Sequence, residues 1–172
     1  MARLALPEGD GQEIDRLFAL SRMGPAALDL RAAVYTHHGL SVRMFEAVRM
    51  RIAEINGCPI CLRYRLPEGR EAGLTQAFYD EVGNWAASSL YDEREKLAIE
   101  YTEKFLLDHR SIDDAFFDRL KAHFSDPAIM NLTIVIARHM AFGRITMVMH
   151  AEETCSVDGS STWGLSYSTA AE

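Results

Sequence analysis

The sequence predicts an all-α fold, and three observations carry that reading. Apolar residues recur three and four positions apart through most of the chain, capping residues and Gly or Pro breakers separate these runs, and no run alternates with the two-residue period of a strand. A chain of 172 residues, 48% of them hydrophobic, needs only one domain to bury a sizeable core. That domain is expected over residues 1–155, with its core over about 10–150. Residues 156–172 read as a flexible tail, because Ser, Thr, Gly and Ala replace the apolar periodicity there and Trp163 stands isolated.

Residues 1–9 read as an extended arm, after which Asp10 is a cap for a helix through Ile14, Leu17, Phe18 and Ser21 that Gly24-Pro25 ends. A second helix runs from Ala26 to about His37, with Leu28, Val34 and Tyr35 as its larger apolar residues and Gly39 closing it. Ser41 caps the third, Val42 to Ile55, whose Phe45, Val48, Ile52 and Ile55 form one apolar stripe with Glu46 and Arg49 beside it. A short helix follows from Cys58 to Leu66 and stops at Pro67-Glu68-Gly69, and Thr75 caps another through Phe78 and Val82. Asp92 with Glu95 makes a capping box for a helix to about Asp108. Ser111 with Asp114 opens the next, which supplies Phe116, Phe117, Leu120 and Phe124, and Asp126-Pro127 begins a long apolar helix to about His150.

Eighteen Lys and Arg against 25 Asp and Glu give a formal net charge of -7, which argues against a general nucleic-acid or anionic-membrane surface. The start of the chain has no secretory signal pattern, so a cytoplasmic location is expected. Ala128 to Met149 is long enough to span a bilayer, but Asn131, Arg138, His139 and Arg144 interrupt it and favour a core helix. Met44, Met50, Met140, Met147 and Met149 read as filling for the core or for subunit contacts.

Three cysteines are too few for a disulfide-stapled scaffold, and the close pair Cys58 and Cys61 points to redox or metal chemistry, with Cys155 a bystander. Zinc needs about four ligands, and no second pair stands at a suitable spacing despite His37 and His38, which read as histidines at a helix end. No phosphate-cradling glycine loop is present either, so no metal, flavin or nucleotide cofactor is expected.

The pair sits in Asn56-Gly57-Cys58-Pro59-Ile60-Cys61-Leu62-Arg63-Tyr64-Arg65. Gly57 suits the end of the third helix and Pro59 the first turn of the next, which leaves Cys58 at a helix start and Cys61 one turn on, on the same face. An antiparallel hairpin about Gly57 sets Glu46 opposite Arg65, with Cys61 nearer the turn. Position at the helix start favours Cys58 as the thiolate. The bland alternatives are two small buried hydrophobes for the cysteines and a structural ion pair for Glu46 and Arg65. Tyr64 and His139 read either as pocket groups or as packed side chains, and His150 shares a helix face with His139.

Glu46 followed at this spacing by Cys58-x-x-Cys61, with Ile55-Asn56-Gly57 before the first cysteine, closely resembles the core motif of the carboxymuconolactone decarboxylase and alkylhydroperoxidase D (AhpD) superfamily. The likeness continues through Asp92-Glu93-Arg94-Glu95 and the helices over 112–124 and 132–144. It implies an AhpD-like helical bundle with a central hairpin carrying the cysteines, assembled as a homo-oligomer, commonly a trimer or hexamer. It also implies peroxide reduction through a Glu-to-His-to-Cys proton relay, in which Glu46 is the relay glutamate, Cys61 the attacking cysteine and Cys58 the resolving one. The relay histidine, however, is Arg65 in this chain. An arginine stays protonated and cannot act as a base, although its charge would favour a nearby thiolate.

The leading expectation is therefore a thiol peroxidase or disulfide oxidoreductase with catalytic Cys61, Cys58, Glu46 and Arg65, a small-molecule substrate and a dithiol or protein-thiol electron donor. One rival is a decarboxylase or lactone-processing enzyme in which Arg65 binds the carboxylate of a small acid. The other is a non-enzymatic oligomeric stress-response module.

Overall fold

The structure, a computed structural model, describes residues 2–9 and 12–151. Asp10, Cys155 and the tail with Trp163 lie outside the described residues. Among those described, the elements are α1 (Glu13–Ala19), α2 (Gly24–His37), α3 (Val42–Asn56), α4 (Pro59–Arg63), α5 (Gln76–Asp80), α6 (Glu93–Leu107), α7 (Asp114–His123) and α8 (Asp126–Met149), with short 3-10 turns and no strand. The fold is all-α.

α3 is the axis of the molecule because most of its length is buried: Phe45, Ala47, Val48, Ile52 and Ala53 are at most 2% exposed. On one side it shares a core cluster with Leu97 and Tyr101 of α6, Leu120 of α7, and Leu132 and Ile136 of α8. On the other, Ala47 and Met50 pack with Phe78 and Tyr79 of α5, Val82, Tyr91 and Ile99. Glu46 and Arg49 lie inside this buried helix, 0% and 3% exposed, so their charges must be met within the protein. α8 is long and apolar enough to cross a membrane by length and composition, and here Leu132, Val135 and Ile136 bury in the core beside α3.

Local signals set most helix starts. Ser41 accepts the Met44 amide at 3.2 Å, Thr75 accepts Phe78 at 3.4 Å, and Asp92 and Glu95 form the reciprocal capping box at 2.8 and 3.1 Å. Two caps differ from expectation. Asp113, not Ser111, caps α7 through the Phe116 amide at 2.8 Å, and Ser125, not Asp126, caps α8, whose first turn then holds Asp126 and Pro127. The intervening 3-10 turn takes up Ser111, whose hydroxyl donates back to the Asp108 carbonyl.

His38 ends α2, packs its ring 4.4 Å from that of Phe45, and accepts the Leu40 amide on Nδ1 at 3.0 Å. Burial lowers its pKa from 6.5 to about 4. An unfolded chain takes up this proton near pH 6.5, so the neutral ring contributes stability that is full above that pH and is lost as pH falls towards about 4. Urea unfolding at pH 7 and pH 4.5 is expected to show an acid-side loss larger by on the order of 2 kcal/mol in the wild type than in a His38→Gln variant.

Candidate active site

Gly57, at φ 61°, is in the left-handed conformation that ends α3, and the amides of Gly57 and Cys58 return to the carbonyls of Glu54 and Ala53, both at 3.0 Å. Cys58 thereby becomes the N-cap of α4, with Pro59 in the first turn. Cys58 is 0% exposed, whereas Cys61 is half-buried and borders a cavity. The two sulfurs are 2.9 Å apart, and the Cys61 amide points at Cys58 Sγ at 3.5 Å. One thiol therefore faces the cavity, and the other lies behind it within reach.

The cavity, of about 90 Å³, is mainly apolar; Cys61 and Tyr64 border it from the α4 side, Tyr35 from α2, and Arg138 and His139 from α8. Asn56 joins α3 to α8 beside it, donating to the His139 and Met140 carbonyls at 3.4 and 3.3 Å and accepting Arg144 Nε at 3.1 Å. Gly143 permits this approach, since a Cβ there would come 2.5 Å from the Asn56 Nδ2.

Glu46 does not pair with Arg65. Its carboxylate is held by Arg49, from Nε at 2.5 Å and Nη2 at 3.1 Å, by the Tyr79 hydroxyl at 2.9 Å and by the Leu66 amide at 3.4 Å. Arg49 uses two of its three remaining N–H groups on the carbonyls of Cys61, at 2.8 Å, and Tyr64, at 2.9 Å. These carbonyls lie at the end of a five-residue helix too short to satisfy them, so a buried guanidinium completes α4 and fixes the backbone of Cys61. Burial works against the charge on Arg49, but the charge and hydrogen bonds of Glu46 outweigh it and raise its pKa. Burial first, and Glu46 beside it second, raise that of Tyr79.

The displacement of Arg65 has a local cause. α4 ends at Arg63 rather than Leu66, because Tyr64 and Leu66 are extended, the latter just before Pro67. Off the helix, Arg65 lies with its guanidinium 3.9 Å above the ring centroid of Tyr79 and donates to the carbonyls of Leu62 and Tyr64 at 2.6 and 2.8 Å. It borders a separate depression with Arg63 and Asp80, not the cavity of Cys61. Burial, then the nearby Arg49, lower its pKa. Arg49 and Arg138 are among the cations whose fields reach Cys61.

His139 lines the cavity with Nδ1 2.8 Å from the Val135 carbonyl, which assigns the proton to Nδ1 and leaves Nε2 as a bare acceptor with no partner among the described residues. Burial, reinforced by Arg138, lowers its pKa well below 6.5, so the ring is neutral. Among the described residues no group of three His, Cys, Asp or Glu is arranged to hold a metal ion. Arg49, Tyr79 and Arg138 are the site residues that sequence reasoning passed over. The readable signal for the first was an acid and a base three apart beside the apolar stripe of the helix.

Fold and site together define an all-helical protein with two adjacent thiols at the edge of a cavity, and two solved structures share its AhpD-like fold. One is a protein of unknown function from Agrobacterium tumefaciens described in connection with the antioxidant defence protein AhpD, 25% identical, with a TM-score of 0.68 over 81% of this chain and 97% of that one. The other is an uncharacterised peroxidase-related protein from Silicibacter sp. TM1040, 16% identical, with a TM-score of 0.70 over 87% and 90% of the two chains. Residues 23–104 match the model of the carboxymuconolactone decarboxylase family. Relatives include the uncharacterised protein YdfG of Bacillus subtilis, 24% identical over 60% of this chain and 71% of its own length. Another is the uncharacterised protein YnjA of Escherichia coli, 30% identical over 59% of this chain and 56% of its own.

Proposed function

We propose that this protein is a thiol peroxidase and disulfide oxidoreductase of the AhpD type, acting as a cytoplasmic homo-oligomer, a trimer or hexamer, with a dithiol or protein-thiol donor. The observation that carries the reading is the asymmetry of the two sulfurs, Cys61 at the cavity and Cys58 buried 2.9 Å behind it. The Cys61 thiolate attacks the outer oxygen of a hydroperoxide; the S–O bond forms, the O–O bond breaks, and the alkoxide leaves as the alcohol after taking a proton. Cys58 then attacks the sulfenic acid, expelling water, and the resulting disulfide is reduced by the donor dithiol, which is itself oxidised to a disulfide.

Arg49 and Arg138 favour the thiolate by charge, in place of the proton relay that Arg65 does not supply. The rival in which Arg65 binds a substrate acid has no support in the site, because Arg65 opens onto a different depression. The test is consumption of tert-butyl hydroperoxide driven by dithiothreitol. Cys61→Ser is expected to lose at least ~100-fold of the rate, down to the uncatalysed background. Sustained turnover by that variant would overturn the reading.

A further inference from the structure

We propose that the cavity at Cys61 is built for a substrate that carries a carboxylate, which Arg138 binds, so that the peroxides taken are those of small organic acids. The inference deepens the peroxidase reading above and rests on it. Its basis is a charge left unmatched. Among the described residues three arginines line the cavity, Arg31, Arg49 and Arg138, and no Asp or Glu does. Arg31 is paired with Asp15 and Arg49 with Glu46. Arg138 makes no ion pair among the described residues.

Arg138 is nevertheless 7% exposed, lies with its guanidinium 5.2 and 4.8 Å from the ring centroids of Tyr35 and Phe142, hydrogen-bonds the neutral Tyr35 side chain, and has an Nε with no acceptor among the described residues. A guanidinium cannot shed its proton to escape burial, so a buried one without an anion leaves both charge and donor for a ligand to satisfy. Beside it, His139 Nε2 is an acceptor without a donor among the described residues. The complementary ligand has an anionic acceptor for Arg138, an O–H donor for Nε2 and an apolar body for the walls. An organic acid bearing a hydroperoxide has all three.

The carboxylate is a spectator: it stays on Arg138 while Cys61 attacks the outer peroxide oxygen, the O–O bond breaks and the hydroxy acid leaves. Cys58 and then the donor dithiol close the cycle as above. The competing account is that the Cys61 thiolate alone balances Arg138, and it makes the opposite prediction about charge in the ligand.

The test uses a matched pair, tert-butyl hydroperoxide and 3-hydroperoxy-3-methylbutanoate, in which a carboxylate replaces one methyl hydrogen. The wild type is expected to prefer the acid by at least ~tenfold in kcat/KM, mainly through KM. Arg138→Lys should keep most of that ratio and Arg138→Met should bring it towards unity. A wild-type ratio near one, or a ratio that survives Arg138→Met, overturns the proposal. A second arm needs neither turnover nor a folded variant: Cys61 of the wild type is alkylated with iodoacetamide in the presence of butyrate or of neutral butyramide, and the adduct is counted by mass spectrometry. Protection by butyrate alone supports the anion site even if no peroxide is reduced, in which case the peroxidase reading is the one that falls. Equal protection by both, with peroxide reduction intact, overturns this inference and leaves the peroxidase reading standing.

Discussion

Arg49→Met is expected to lower the free energy of unfolding by about 3–5 kcal/mol, read as a lower urea midpoint and a thermal midpoint reduced by on the order of 10 °C. The size follows from what stays behind. Glu46, 0% exposed, would keep only the Tyr79 hydroxyl and the Leu66 amide, and the carbonyls of Cys61 and Tyr64 would lose a charged donor. Glu46 is shut away from bulk solvent, so the buried carboxylate bears the cost. Against a total stability of about 5–15 kcal/mol this is a large fraction. Glu46→Gln in the same background should restore part of it, because a neutral amide is cheaper to bury than an unpaired carboxylate, and the coupling in that double-mutant cycle should exceed about 1 kcal/mol. A loss below about 1 kcal/mol for Arg49→Met would show that the pair is not what holds α3 to α4.

The same pair shows why part of this site was legible in the sequence and part was not. Helices were readable because their causes are local: the stripe Phe45, Val48, Ile52 and the caps at Ser41, Thr75 and Asp92 all act within a turn or two. Glu46, Cys58 and Cys61 were named from the motif and its resemblance, and the structure brings them together around Arg49. What sequence spacing could not supply was the partner of Glu46. An acid and a base three apart are usually a weak solvated pair. Here Tyr79 and Leu66, 33 and 20 positions away, close over them and make the pair structural.

Arg65 was misplaced for a related reason. Facing Glu46 required α4 to continue past Arg63, and the extended backbone at Tyr64 and Leu66 turned the side chain onto Tyr79 instead. Arg138 was read only as a charge that disqualified a membrane span. Its position beside Cys61 depends on how α8 lies against α2, which no local rule encodes.

Cys58→Ser is expected to separate the two sulfurs in a way that Cys61→Ser does not. Without added donor, one equivalent of hydroperoxide per chain should be consumed in a burst by the wild type and by Cys58→Ser alike, and by Cys61→Ser not at all. The wild type should end as the Cys58–Cys61 disulfide and Cys58→Ser as a Cys61 sulfenic acid, trapped by dimedone and seen as one adduct by mass spectrometry. The reasoning is positional. A sulfur that is 0% exposed has no path to a peroxide in the cavity, yet at 2.9 Å it is poised for the sulfenic acid that forms in front of it. The Cys61 amide directed at Cys58 Sγ stabilises negative charge there, which suits the second attack rather than the first. In the proposed cycle the helix start that favours a thiolate at Cys58 and the cavity that exposes Cys61 would act at successive steps. A burst in Cys61→Ser, with dimedone on Cys58, would reverse the two roles.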